Sequence, residues 1–452
     1  MKTPESAERS QTATFFCLSG LLLAFVAAIP FCDFMKAGSV FSFVPIMLLG
    51  SAFYFGAAHH YQFLPTRQRR QVLWWSAIIL RLAALAIPAG DDMHRYLWEG
   101  RIQWGGFNPY LVAPDSPALA ALRDADWQRM NHRDWAAIYP PGAELLLKLL
   151  TSLGSSALVI KIACAVADIG IIGLLLRLNT GPSRHRDTVW YAWNPLVIFS
   201  FAGAGHFDSL MLAPLLLAVY ALHRAVPANG GPAEWRWAAL AAFLLGVAIS
   251  IKLVPLVLVP VLALTLRSHM FVLPLAAVAP WLTARYYGFP EVAIFDGFHE
   301  FSYVARFNDF IWWISERFIW ENPAQKNGHY TMVTIAVAST LSLLARWDWR
   351  RAILWVLGAT LICSTVVHPW YVTWILPFAA MQRARGWFVL SATVFLAYLW
   401  WESTPVWNAW QPSPLLSLAI SVPPLVFCVY VIVKSRTHHI NRNLPSEPKL
   451  QS

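Results

Sequence analysis

Long apolar runs follow one another from end to end of this chain, with few charges inside them. Residues 12–31, TATFFCLSGLLLAFVAAIPF, form one such run, and residues 413–434 form another. A helix crossing a bilayer needs about 20 apolar residues, with about 17 at the short end. Only 13% of the residues are charged, against about 25% in an average soluble domain. Soluble classes are excluded, and the chain reads as one all-α, polytopic membrane domain over residues 1–452. About fourteen spans (twelve to fourteen) are expected, near 12–31, 39–58, 71–89, 156–176, 188–203, 207–222, 237–251, 253–266, 270–285, 331–345, 352–366, 371–381, 387–401 and 413–434. Runs 253–266 and 371–381 are short for a crossing and read as re-entrant pieces or as parts of split, tilted helices.

The net charge of +10 would suit nucleic acid, but its distribution points elsewhere. With the N-terminus inside, the basic residues collect in the inner loops. Arg67, Arg69 and Arg70 lie in one, Arg177, Arg184 and Arg186 in another, and Arg383 and Arg385 in a third. This is the positive-inside pattern, so the basic balance is a topology signal and no nucleic-acid partner is expected. Both termini are placed in the cytoplasm, with residues 435–452 as a polar tail. The first run is longer than a signal-peptide core and lacks an A-x-A-like cleavage site, so it reads as a retained helix. The five cysteines form no C-x-x-C pair and read as small hydrophobes. Basic loops without organellar signals fit a bacterial inner (cytoplasmic) membrane.

Two segments break the apolar pattern, 90–155 and 286–330, and both fall outside the cell in this topology. In the first, Asp92, Arg95, Tyr96 and Glu99 are spaced to share one helical face. Gly105 and Gly106 end that helix, Asn108–Pro109–Tyr110 makes a turn, and a further helix is expected over 142–153. Acids, Arg and aromatics alternate here, which suits a carbohydrate or lipid-phosphate pocket. Rings offer faces to stack on, and carboxylates accept hydroxyl protons. The structural alternative is that Asp91 and Asp92 simply begin a helix, where acids favour the positive end of the dipole.

The run D-D-x-x-R-Y-x-W-E-G-R-x(6)-N-P-Y at 91–110, followed by N-H-x(5)-Y-P-P at 131–141, resembles bacterial GT-C superfamily glycosyltransferases. It is most similar to their polyprenyl-phosphate-mannose-dependent mannosyltransferases. Further matching stretches are N-P-L-V at 194–197, G-H-F-D-S-L at 205–210, S-I-K-L-V-P at 250–255, R-F-N-D at 306–309 and H-P-W-Y-V-T-W-I-L-P at 368–377. The resemblance covers residues from about 70 to 380. It implies inverting transfer of one sugar, with mannose favoured, from a polyprenyl-phosphate carrier to an extracytoplasmic hydroxyl. The family's essential acid, spaced D-x-x-x-Y, falls on Asp92 with Tyr96, leaving Asp91 as its neighbour. The family often has Asn before the later Asp, whereas this chain has Phe207.

Asp92 is accordingly the expected general base, with Asp91 as the alternative. Lys252 and Arg306 are the candidate cations for the departing phosphate. A lone ionisable residue at membrane depth is a functional candidate by default, although Lys252 could equally snorkel and Arg306 could pair with Asp309 or Glu300. His206, Asp208 and His368 are expected to line the cavity, and Arg95, Tyr96 and Glu99 to contact substrate. A histidine at a helix end is more often structural, and Glu99 and Arg101 could pair with each other. No cofactor is expected, the Asp91–Asp92 pair being the one candidate for a divalent cation. The acceptor is left open. The rival class is a transporter or lipid flippase, which would place charges near the midplane and carry inverted repeats. A non-catalytic assembly factor is a third reading, and the intact acid pair argues against it.

Overall fold

The computed structural model describes residues 3–34, 36, 38–226, 234–322, 327–344, 348–400 and 414–443. The described residues are helical throughout, apart from loops and one isolated parallel bridge, Phe307 to Val366. Helix α1 (Pro4–Ala28) starts on Thr3, whose hydroxyl accepts the Ser6 N–H, and Pro4 sits where no N–H is needed. It packs along α2 (Val40–His60), and α3 (Thr66–Ala84) returns beside α1. The first polar segment then folds as α4 (Asp92–Ile102), α5 (Ala125–Arg129) and α6 (Pro141–Leu153). Beyond it come α7 (Ala157–Leu178), α8 (Arg184–Ala192), α9 (Pro195–Ile198), α10 (Asp208–Ala225), α11 (Trp235–Ile251), α12 (Val259–Thr265) and α13 (Val278–Tyr286). The second polar segment carries α14 (Asp296–Val304) and α15 (Phe310–Phe318), which its sequence did not announce. Helices α16 (Gly328–Leu344), α17 (Trp349–Ile362), α18 (Leu376–Gln382), α19 (Gly386–Thr393) and α20 (Pro414–Asn443) complete the chain.

Among the described residues, three helical stretches, Pro4–Phe31, Val40–Phe63 and Ala157–Leu178, are long and apolar enough to cross a membrane. The pair Pro195–Gly203 and Asp208–Ala225 makes a fourth if taken as one span, bent by 117°. Other apolar helices, such as Trp235–Ile251 and Gly328–Leu344, are shorter. The expected run 188–203 is not one helix, because Pro195 has no N–H to continue α8 and Asn194 instead caps a new start. Runs 253–266 and 371–381 each begin as a 3-10 turn before a seven-residue helix. The last helix continues past Lys434 to Asn443, into the expected polar tail, since 434–443 contains neither Gly nor Pro. Residues 444–452 of that tail lie outside the described residues.

One continuous apolar core joins these helices. At its centre Phe34, Phe43, Phe199 and Tyr398 meet edge-on or tilted, with ring centroids 5.0 to 5.8 Å apart. The buried charges of the third and fourth runs are structural. Arg81 Nε donates to Asp168 Oδ2 at 2.9 Å, and the Tyr191 hydroxyl donates to Asp168 Oδ1 at 2.7 Å. Lys161 donates to the Leu85 and Ile87 carbonyls at 2.7 and 2.5 Å, satisfying the end of α3. Charges at such depth persist only when paired in this way.

Candidate active site

The site is built around the break between α9 and α10. The Asn194 carboxamide oxygen accepts the N–H groups of Leu196 and Val197, and a π-helical turn follows over Phe199–Gly203. Gly205 then takes φ +82, and a Cβ there would lie 2.2 Å from Met93 Cε. Only glycine fits that turn. The reversal sends His206 and Asp208 toward the first polar segment, and the Gly90 N–H donates to the Ala204 carbonyl at 3.0 Å to hold that segment's start in place.

Asp91 and Asp92 open α4, where the helix dipole favours negative charge. They line a pocket of about 110 Å³ together with Tyr96, Asn131, His132, Tyr139, Lys252, Phe298, Phe301, His368, Trp370 and Tyr371. The two carboxylates differ in partners. Asp91 Oδ2 accepts from Asn131 Nδ2 at 2.7 Å, while Asp92 Oδ2 accepts from the Tyr96 hydroxyl at 3.3 Å and lies 3.5 Å from His206 Nδ1. Burial, and next the charge of Asp92, push the Asp91 carboxyl up to about 7. Burial acts on Asp92 as well, but His206, by hydrogen bond and charge, and Lys252 outweigh it and hold the carboxyl below its usual range. One acid of the pair is thus poised to keep a proton near neutrality while the other is ionised.

Lys252 caps the end of α11 in extended geometry. Its Nζ donates to Asp208 Oδ1 at 2.5 Å, which the Trp374 indole N–H also reaches. The same ammonium lies over the rings of Tyr371, Trp374 and Phe207, 4.8 to 5.4 Å from their centroids. Phe207 also packs against Tyr96 and Tyr139, with centroids 5.0 and 5.2 Å away. Phe207 is therefore packed between Tyr96, Tyr139 and the Lys252 ammonium. Burial pushes His368 down to about 3, leaving it neutral. It stacks on Trp370 at 4.4 Å with planes 2° apart.

The structure thus brings Asp91, Asp92, Tyr96, Lys252, His206, Asp208 and His368 together. It does not bring Arg95, Glu99 or Arg306 into the pocket lining. Arg95 is 2% exposed and donates to Glu99 at 2.9 Å, to the His132 and Ala136 carbonyls at 3.0 Å and to the Trp135 carbonyl at 2.8 Å. Glu99 pairs with Arg95, not with Arg101, which holds Asp124 and Asp126. Arg306 pairs with Asp309, as the structural alternative had it, and with Glu316 at 2.8 Å in place of Glu300. Sequence reasoning gave no role to Asn131, Trp370 or Tyr371, although all three stand inside quoted motifs. Asn108 and Tyr110 do shape the loop, through the Tyr287 and Tyr139 carbonyls at 2.9 and 2.6 Å. Among the described residues, no group of three or more His, Cys, Asp or Glu is placed to hold a metal ion.

An all-helical chain with several apolar helices, and a pocket that sets carboxylate, ammonium and ring faces side by side, has the equipment of a membrane-bound glycosyltransferase. Residues 19–268, more than half of the chain, match the N-terminal domain of alpha-(1->6)-mannopyranosyltransferase, the MptA_B family. The chain belongs to that family. No curated protein and no solved structure matches it.

Proposed function

We propose that this protein is an inverting mannosyltransferase with a polyprenyl-phosphate donor and an acceptor hydroxyl outside the cytoplasm, and that Asp92 is its general base. The observation that carries this reading is the split between the two acids. Burial and the charge of Asp92 push the Asp91 carboxyl up to about 7, while Asp92 beside it at the pocket is held below its usual range. An inverting displacement needs one carboxylate behind the attacking oxygen, and such help is worth about 10²–10⁴ in rate. Lys252 is the cation for the departing phosphate, because two of its three N–H donors are left by Asp208. Arg306 is occupied by two carboxylates and is given no part in the reaction. A monophosphate leaving group needs one ammonium and no bridging metal.

In this reading the pocket faces the outside of a bacterial inner membrane, about fourteen segments cross or enter the bilayer, and both termini are cytoplasmic. Membranes containing the protein, supplied with radiolabelled polyprenyl-phosphate mannose, test it directly. Label should move to an acceptor or to water with wild type and not with Asp92→Asn at equal abundance. Unchanged turnover in Asp92→Asn would remove the base. No transfer from any polyprenyl-phosphate sugar would remove the donor class.

A further inference from the structure

Two buried carboxyls outside the pocket face each other. Gly100 lets α4 lie against α6, since a Cβ there would be 2.7 Å from the Leu147 carbonyl oxygen. This close approach sets the Glu99 and Glu144 side chains beside each other, 1% and 0% exposed, where each acts on the other's charge. Arg95 Nε donates to Glu99 Oε1 at 2.9 Å, and Gln103 Nε2 donates to Glu144 Oε2 at 3.2 Å. The remaining oxygens, Glu99 Oε2 and Glu144 Oε1, are reached by no donor among the described residues. Two carboxylates cannot hydrogen-bond without a proton between them.

The charge count agrees. The groups facing the pair are Arg95, Asp92 and Gln103 of α4, Tyr110 and Tyr139 of the loop, and Tyr287 after α13. Tyr287 donates its hydroxyl to Gln103 Oε1 at 2.6 Å, which fixes the Gln103 amide as the donor toward Glu144. Arg95 is the one cation among these groups, and it neutralises one carboxylate. A second buried anion would stand uncompensated, which costs several kcal/mol.

We propose that Glu144 carries a proton and donates it to Glu99, and that this pair sets Arg95 as a positioning residue for the acid pair in the pocket. The route is short. Arg95 spends its other nitrogens on the carbonyls of His132, Trp135 and Ala136, within the segment that presents Asn131 to Asp91. Ionising Glu144 places a second negative charge beside Glu99 and pulls the guanidinium from those carbonyls. The contact is present while Glu144 keeps its proton and is lost as pH rises through the raised value of the Glu144 carboxyl. The proposal's kinetic arm rests on the transferase reading above, but its spectroscopic arm does not.

Infrared spectra of the full-length protein in detergent at neutral pH should show a protonated-carboxyl band that weakens in Glu144→Gln and also in Glu99→Gln, where Arg95 is left with a single carboxylate to neutralise. A band unchanged in Glu144→Gln overturns the proposal whether or not any sugar is transferred. In the transfer assay, Glu144→Ala should lower kcat, by on the order of 10²-fold if the acids shift by an ångström, with donor KM unchanged. Glu144→Gln, whose amide can donate to Glu99, should restore that kcat and abolish the alkaline fall of the wild-type profile. A Glu144→Gln protein that unfolds at the wild-type temperature yet turns over as slowly as Glu144→Ala, or that keeps the alkaline fall, overturns the positioning role. Silence of the wild type in this assay would instead count against the donor, with the infrared result still deciding the shared proton.

Discussion

The imidazole of His206 lies face to face with the indole of Trp370, centroids 3.7 Å apart and planes 13° from parallel, while its Nδ1 points at Asp92 from 3.5 Å. Stacking fixes the ring so that its polar edge has one direction to face. Removing the ring removes both the contact and the charge that hold Asp92 ionised. His206→Ala should therefore raise the Asp92 carboxyl and move the acidic limb of the activity profile to higher pH. His206→Phe keeps the stack and should show the same shift. A limb that stays in place in both variants would separate His206 from the acid.

Asp91 gives a stability signature of opposite kind. Its carboxyl is pushed up to about 7 in the fold, from about 3.9 unfolded, so the folded state binds the proton more tightly. The stabilisation is fully present below the unfolded value and is lost as pH rises through 7. Thermal unfolding in detergent should show Asp91→Asn gaining on wild type as pH rises from about 4 to 8. Parallel curves across that range would contradict the raised value.

Lys252 and Asp208 should behave as a unit. Asp208 is 1% exposed at its side chain and Lys252 16%, so Lys252→Ala leaves a buried carboxylate without its cation. Breaking a buried pair from one side costs about 3–5 kcal/mol. Adding Asp208→Asn to Lys252→Ala should recover most of the unfolding temperature. It should not recover the donor requirement, because the phosphate has still lost its ammonium. Full recovery of donor KM in the double variant would make the pair purely structural.

Gly205→Ala should destabilise by more than about 1 kcal/mol, since a side chain is strained at positive φ and its Cβ would collide with Met93. Gly170→Ala, in α7 with nothing within 4 Å of the new Cβ, is the matched control. Unfolding temperatures of the two variants decide it, and equal shifts would mean that the turn tolerates a side chain.

The local parts of this design were legible in the sequence. The spacing of Asp92, Arg95, Tyr96 and Glu99 places them on α4, and Gly105 and Gly106 follow its end. Lone Lys252 among apolar residues marked itself. What could not be read was pairing across the chain. Lys252 and Asp208 are 44 residues apart, Asp91 and Asn131 are 40 apart, and Trp374 meets Asp208 over 166. Nothing in a linear pattern says that Arg95 will spend its nitrogens on carbonyls some forty positions ahead. Helix breaks were also hidden, because hydropathy is blind to a bend that keeps every residue apolar.

The bridge between Phe307 and Val366 has a further consequence. Phe307 donates to the Thr365 carbonyl and accepts from the Val367 N–H, so the second polar segment is clipped to the strand of chain that presents His368 and Trp370. Those rings, with Phe298, Phe301 and Tyr371, all lie beyond residue 268, whereas Asp91, Asp92 and Lys252 lie before it. The pocket is a seam: its carboxylates and its ammonium come from the earlier half, and the later half adds ring faces to those of Tyr96, His132 and Tyr139. Substitutions in the later half can therefore redraw ring faces at the pocket while the earlier half keeps its charges.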